Sequence, residues 1–111
     1  MNILFKQNKF EKLCNDRRRL LKEYGAVRGR LIAKRLDELK AAEILADVAK
    51  LPQTRCHQLS GEMNGMLSVD VGHPYRLIFL PADTPIPLKA DGGLDWDKVK
   101  TILIVNVIDT H

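Results

Sequence analysis

The stretch that decides the fold is Met66-Leu67-Ser68-Val69-Asp70-Val71-Gly72-His73-Pro74-Tyr75-Arg76-Leu77-Ile78-Phe79-Leu80. Over residues 66–71, Met66, Ser68 and Asp70 alternate with Leu67, Val69 and Val71, the pattern of a strand buried on one face. Gly72-His73-Pro74 supplies a tight connection, and residues 75–80 read as a second, more apolar strand. The pair predicts a β-hairpin.

Outward from the hairpin the pattern changes in both directions. Residues 60–65 are rich in turn formers, and residues 55–59 make a short extended segment before them. Upstream of Leu51-Pro52, where proline ends helical structure, the apolar spacing is helical. Phe10, Leu13, Cys14, Leu20, Leu21 and Tyr24 predict a helix over residues 9–24, interrupted by Arg17–Arg19 and stopped by Gly25. A second helix from Ala26 buries Leu31, Ile32, Leu36 and Leu39 and carries Arg28, Arg30, Lys34 and Arg35 on its other, basic face. Its pattern runs on through Ile44, Leu45 and Val48, as one long helix or as a bent pair. Residues 2–5 are readable as a short strand or an ordered arm. Downstream, residues 81–97 hold three of the five prolines and Gly92-Gly93, which predicts a loop. Residues 101–108, almost all β-branched, predict a central strand covered on both faces. The fold class is therefore α+β: two N-terminal helices packed on a small twisted antiparallel sheet.

At 111 residues the chain has room for one domain, spanning residues 1–111, and one core. Aromatics are 5% of residues, so that core is chiefly aliphatic. The net charge of +4 and pI near 9.2 suit an anionic partner, a nucleic acid or an acidic protein. No apolar run is long enough to span a bilayer, and charged residues follow the first five directly, so a signal peptide is not expected and a cytoplasmic location is. Cys14 and Cys56 match no metal or redox spacing and read as reduced packing thiols.

The three histidines are His57, His73 and His111. His57 lies on the first predicted strand of the C-terminal half, Arg76 in the hairpin, and Asp109 and His111 just after the last strand. An antiparallel sheet can bring His57, Arg76, Asp109 and His111 to one rim. Such a set has the parts needed to cleave RNA through its own 2′-hydroxyl. A base takes the 2′ proton, an acid protonates the leaving 5′-oxygen, and a cation stabilises the phosphate. Histidine titrates near neutrality and serves in either role, arginine binds phosphate through a fork of donors, and a carboxylate orients a histidine. Singly, each has a plainer reading: a surface histidine, a frayed terminal one, or Arg76 paired with Asp70 or Asp109. No ligand spacing supports a metal site.

The run Arg55-Cys56-His57-Gln58-Leu59-Ser60-Gly61, then Gly65-Met66-Leu67-Ser68-Val69-Asp70-Val71, resembles the central signature of HigB-type toxins. Tyr75-Arg76-Leu77-Ile78-Phe79 resembles the family's aromatic-Arg strand, and Val107-Ile108-Asp109-Thr110-His111 resembles its closing Asp-Tyr-His. Order and spacing agree over about the C-terminal half, within the RelE/ParE toxin superfamily. The resemblance implies a β-α-α-β-β-β fold and a type II toxin–antitoxin toxin that cuts mRNA on the ribosome without metal or other cofactor, blocking translation. It implies His57, Arg76, Asp109 and His111 as catalytic, with Arg28, Arg30, Lys34, Arg35 and Arg55 as RNA contacts. The expected partners are the ribosome, mRNA and an acidic, helix-turn-helix antitoxin, with no membrane. Two departures stand out: Thr110 in place of the tyrosine, and Leu67 where relatives often carry an aromatic. The alternatives are a ParE-like inhibitor of DNA gyrase and an inert relative that only binds an antitoxin.

Overall fold

A computed structural model describes residues 1–110. Strand β1 (Asn2–Phe5) precedes four helices, α1 (Asn8–Cys14), α2 (Arg17–Tyr24), α3 (Ala26–Ala41) and α4 (Leu45–Ala49). A 3-10 turn at Pro52–Thr54 leads to β2 (His57–Gln58). A second at Gly61–Met63 leads to β3 (Leu67–Asp70), β4 (Tyr75–Pro81) and β5 (Thr101–Asp109). The α+β class and the predicted hairpin are present. The stretch 2–5 is a strand rather than an arm.

The helices depart from their predicted bounds for local reasons. The single helix expected over residues 9–24 is two, because the Asp16 carboxylate accepts from the Arg19 backbone N–H at 3.2 Å and caps a new helix there. The long second helix is the bent pair. Ala42 is extended, and α4 is anchored from outside, Leu45 and Ala46 donating to the carbonyls of Val99 and Trp96 at 3.0 Å each. Gly29, inside α3, is required by packing: a Cβ there would lie 2.8 Å from Leu21 Cδ2 and 2.9 Å from Leu21 Cα, so glycine lets α2 and α3 touch backbone to backbone.

The sheet has the order β1-β5-β4-β3-β2. It is mixed rather than wholly antiparallel, because β1 runs parallel to β5. The intervening helices carry the chain back across the sheet before it pairs with its own beginning, the crossover that a parallel pair needs. Leu67, Val69, Val71, Leu77, Phe79, Ile102 and Ile104 meet Leu20, Ile32, Leu36, Leu39, Leu45 and Val48 in one core. β5 is paired on both edges but sits second in the order, with β4 at the centre, and buried residues alternate with half-exposed ones over its first half instead of the strand being covered on both faces.

One irregularity matters for the site. Phe79 pairs with Ile104 and Ile78 with Asn106, so Val105 is an extra residue in β5. The bulge reverses the alternation. Ile102 and Ile104 face the core before it, and Val107 packs against the same core after it. Arg76 is then opposite Ile108, and Tyr75 opposite Asp109.

Candidate active site

The site is built where the 3-10 turn delivers the chain to β2. The buried Thr54 hydroxyl bonds to the Leu51 and Val48 carbonyls at 2.8 and 3.1 Å, closing the turn. Arg55 follows in the left-handed region, φ 46°, unusual for a residue with a side chain. Its carbonyl is thereby within 3.0 Å of His57 Nδ1 and also accepts from Arg76 Nη2.

Arg76 reaches this point from two strands away. β4 pairs with β3 so that Arg76 is opposite Asp70, and β3 pairs with β2 so that Ser68 is opposite His57. Arg76, Ser68 and His57 therefore share the face turned away from the helices. The guanidinium crosses β3 over Ser68, donating from Nε to Ser68 Oγ at 2.6 Å, and ends 3.4 Å from His57 Nδ1. Half-burial draws the Arg76 pKa down, the Asp70 carboxylate opposes that, and the guanidinium remains the cation of the site.

These contacts bear on the His57 tautomer. A carbonyl only accepts and a guanidinium only donates, so Nδ1 cannot satisfy both. The Arg55 carbonyl is the nearer, at 3.0 against 3.4 Å, and the tautomer with its proton on Nδ1 suits it. The unprotonated nitrogen of neutral His57 is then Nε2, on an exposed side chain.

The other expected site residues are distributed differently. Arg55 contributes its main chain, and its side chain is in an exposed position. Asp109 pairs with Tyr75, out of phase with Arg76, so the register does not bring it to the His57–Arg76 face. The Val105 bulge is what turns Asp109 to the side of Tyr75. His111 lies outside the described residues. Thr110 has a role of its own: its backbone N–H and hydroxyl both donate to the Pro74 carbonyl, at 2.9 and 2.8 Å, tying the end of β5 to β4.

The basic face of α3 is divided. Arg30 and Lys34 are exposed. The Arg28 guanidinium lies 3.6 Å over the Tyr75 ring, a cation–π contact, with its Nε buried and unpartnered. Arg35 corrects the sequence reading outright. It is 4% exposed and donates to Glu38 Oε1 (2.8 Å), the Asp70 carbonyl (2.8 Å) and the Gln53 carbonyl (2.9 Å), so it faces inward and has no edge for RNA. Gln53 donates to Glu38 in turn, at 2.8 Å. This network ties α3 to β3 and to the turn before Arg55. Arginine is chosen over a hydrophobe at this buried stripe because three acceptors converge there, which a helical-wheel reading cannot register. Sequence reading does not single out Ser68 or the Arg55 carbonyl: Ser68 falls on the outward side of the alternating strand, where a serine is unremarkable, and only the fold shows it buried.

The cysteines are free and partly buried. Burial pushes both thiols up to about 12, with Arg76 partly opposing this at Cys56 and Lys40 at Cys14. The raised values lower the thiolate fraction at pH 8, so native protein should react with a thiol reagent more slowly than urea-unfolded protein. Equal rates in the two states would refute the buried, protonated assignment. Because the folded values lie above the ordinary one, the stability these thiols contribute is whole below about pH 9 and is lost as pH rises to about 12. Among the described residues no group of three or more His, Cys, Asp or Glu side chains is arranged to hold a metal, and no helix is long and apolar enough to cross a membrane.

No family model and no curated protein sequence matches the chain. Solved structures do. A YoeB/ParE toxin from Agrobacterium tumefaciens is similar with a TM-score of 0.56 at 10% identity, over 100% of both chains. YoeB from Staphylococcus aureus, solved as a YoeB-YefM complex and as a dimer, gives TM-scores of 0.55 and 0.54 at 16% identity, over 100% of this chain and 97% of that one. The class defined is a small α+β domain with a mixed five-stranded sheet and helices on one face. More particularly, its fold is shared with these YoeB and YoeB/ParE toxin structures.

Proposed function

We propose that the chain is the toxin of a type II toxin–antitoxin pair, a cytoplasmic, metal-independent endoribonuclease of the HigB branch that cleaves mRNA on the ribosome. The observation that carries this reading is the His57–Arg76 pair on the exposed sheet face, with Nδ1 of His57 engaged by the Arg55 carbonyl. His57 Nε2 takes the proton of an RNA 2′-hydroxyl. The 2′-oxygen attacks the adjacent phosphorus, the bond to the 5′-oxygen breaks, and the products are a 2′,3′-cyclic phosphate and a 5′-hydroxyl. Arg76 bears on the phosphate oxygens as their charge grows. His111, an active-site position by resemblance, is then proposed to protonate the leaving oxygen, with Asp109, two residues earlier, acting on His111 rather than on His57.

Arg30 and Lys34, exposed one helical turn apart, are the α3 residues best suited to phosphate contact, and Arg55 adds a charge beside the base. Arg28 is proposed to contribute less, because its guanidinium already stacks on Tyr75. Arg35 is no longer part of the RNA-contact proposal. The YoeB-YefM complex supports a protein partner on this fold, and the net charge of +4 favours an acidic antitoxin.

Induced alone in cells, the chain should stop growth, and primer extension should reveal new in-frame 5′ ends within translated messages. Intact messages together with gyrase-dependent DNA breaks would replace this reading with the ParE-like one. Growth unaffected and messages intact would leave an inert antitoxin-binding relative.

A further inference from the structure

Ser68 has no assigned part in the chemistry, yet it occupies the point where the arginine and histidine strands meet. It is 0% exposed in the middle of β3, opposite His57 on one side and Ile78 on the other. A fully buried hydroxyl costs stability unless a partner holds it. Its partner is Arg76 Nε at 2.6 Å. Arg76 begins opposite Asp70 and ends at the Arg55 carbonyl on the far side of β3, so its side chain must cross that strand over residue 68. The crossing requires a short side chain there, and only one carrying an acceptor can also grip Nε.

We propose that Ser68 is the positioning residue for Arg76: its small side chain opens the path across β3, and its hydroxyl fixes the guanidinium. With Nε on Ser68 and Nη2 on the Arg55 carbonyl, two points hold the plane of the guanidinium, and Nη1 carries the donors left for a phosphate. Without the Ser68 hydroxyl the guanidinium keeps only its Nη2 contacts, with the Arg55 carbonyl and, at 3.5 Å, with the Ser68 carbonyl, and can swing about them. It then binds RNA nearly as well but meets the developing charge less often in the correct orientation. The inference rests on the ribonuclease reading above.

The test uses the full chain on ribosome-bound mRNA, in single-turnover cleavage, with three substitutions. Ser68→Ala removes the acceptor and keeps the path. Ser68→Cys keeps the volume with a much poorer acceptor, and covers the case in which the alanine variant does not fold. Ser68→Thr keeps the hydroxyl. Loss of a hydrogen bond to a charged group should slow cleavage by roughly ten- to a hundredfold in the alanine and cysteine variants. The ribosome concentration for half-saturation should move less than threefold, and Ser68→Thr should recover most of the rate. In an Arg76→Ala background, Ser68→Ala should add nothing, since Ser68 acts through Arg76.

Separately from activity, the Arg76 Nε–H signal in a nitrogen-15 NMR spectrum should exchange slowly with water in the parent and in Ser68→Thr, and be lost to exchange in the other two. A Ser68 effect of equal size with and without Arg76, or parent-like cleavage by folded Ser68→Ala, overturns the proposal. A parent that cleaves no RNA defeats the ribonuclease reading instead; the NMR comparison then still decides the anchor, supporting it if the signal is lost and overturning it if the signal persists.

Discussion

His57→Ala should lower mRNA cleavage by roughly 10²–10⁴-fold, the usual loss when a positioned acid or base is removed, with almost no change in the thermal melt. The small stability cost follows from position. His57 is exposed, on a strand of two residues, and its side-chain contacts are with a carbonyl that Arg76 also satisfies. Arg76→Ala should reduce cleavage by a similar order but should also destabilise the fold, because it leaves the buried Ser68 hydroxyl without its donor. The double variant should be little slower than the worse single one, since base and cation serve one transition state. His57→Gln should not rescue, as an amide does not titrate near neutrality. Parent-rate cleavage by His57→Ala, measured on protein with an unchanged melt, would remove His57 from the mechanism and turn attention to His111.

The largest stability effect is expected from Arg35→Ala. The substitution withdraws donors from the Glu38 carboxylate and from the carbonyls of Asp70 and Gln53. Glu38 is itself mostly enclosed, its side chain 15% exposed, so an uncompensated anion remains. Breaking a buried pair from one side costs about 3–5 kcal/mol, a large share of the stability of so small a domain. Urea unfolding should register the loss as a lower midpoint at unchanged slope. Arg35→Lys should recover little, because a single ammonium cannot reach three acceptors spread around a planar fork. Removing both charges, with Arg35→Met and Glu38→Leu together, should cost less than Arg35→Ala alone. A change below about 1 kcal/mol for Arg35→Ala, the range of solvated surface pairs, would mean that this network is not closed in solution. Since the same guanidinium ties α3 to the turn before Arg55, folded Arg35→Ala should also cleave RNA more slowly, though it touches no reacting atom.

The two residues illustrate how far sequence reading goes in this chain. His57 and Arg76 were legible because a histidine on a predicted strand and an arginine in a predicted hairpin are local facts, and a resemblance in their flanking residues supplied the rest. Reading the segment from Ala26 as a helix with one apolar and one basic face misplaces Arg35. A helical wheel sorts side chains by angle, and cannot know that the carbonyls of Gln53 and Asp70 lie against one edge of the apolar stripe. Ser68 was passed over for the same reason: its meaning lies in an arginine eight residues later that folds back across it.

What the sequence determined by itself is whatever depends on near neighbours. The strand alternation over residues 66–71, the glycine turn after it, the proline that ends the helical half and the apolar spacing along α3 follow from backbone sterics and from burial of one face, and each is present in the fold. Tertiary structure alone decided the parallel pairing of β1 with β5, the kink that starts α4, the inward turn of Arg35, and the bulge at Val105 that moves Asp109 onto the side of Tyr75. These depend on which distant segments meet. A single unpaired residue in β5 reverses the facing of every side chain beyond it, and no periodicity within the strand records that, because it arises from fitting β5 to β4 and to the core at once.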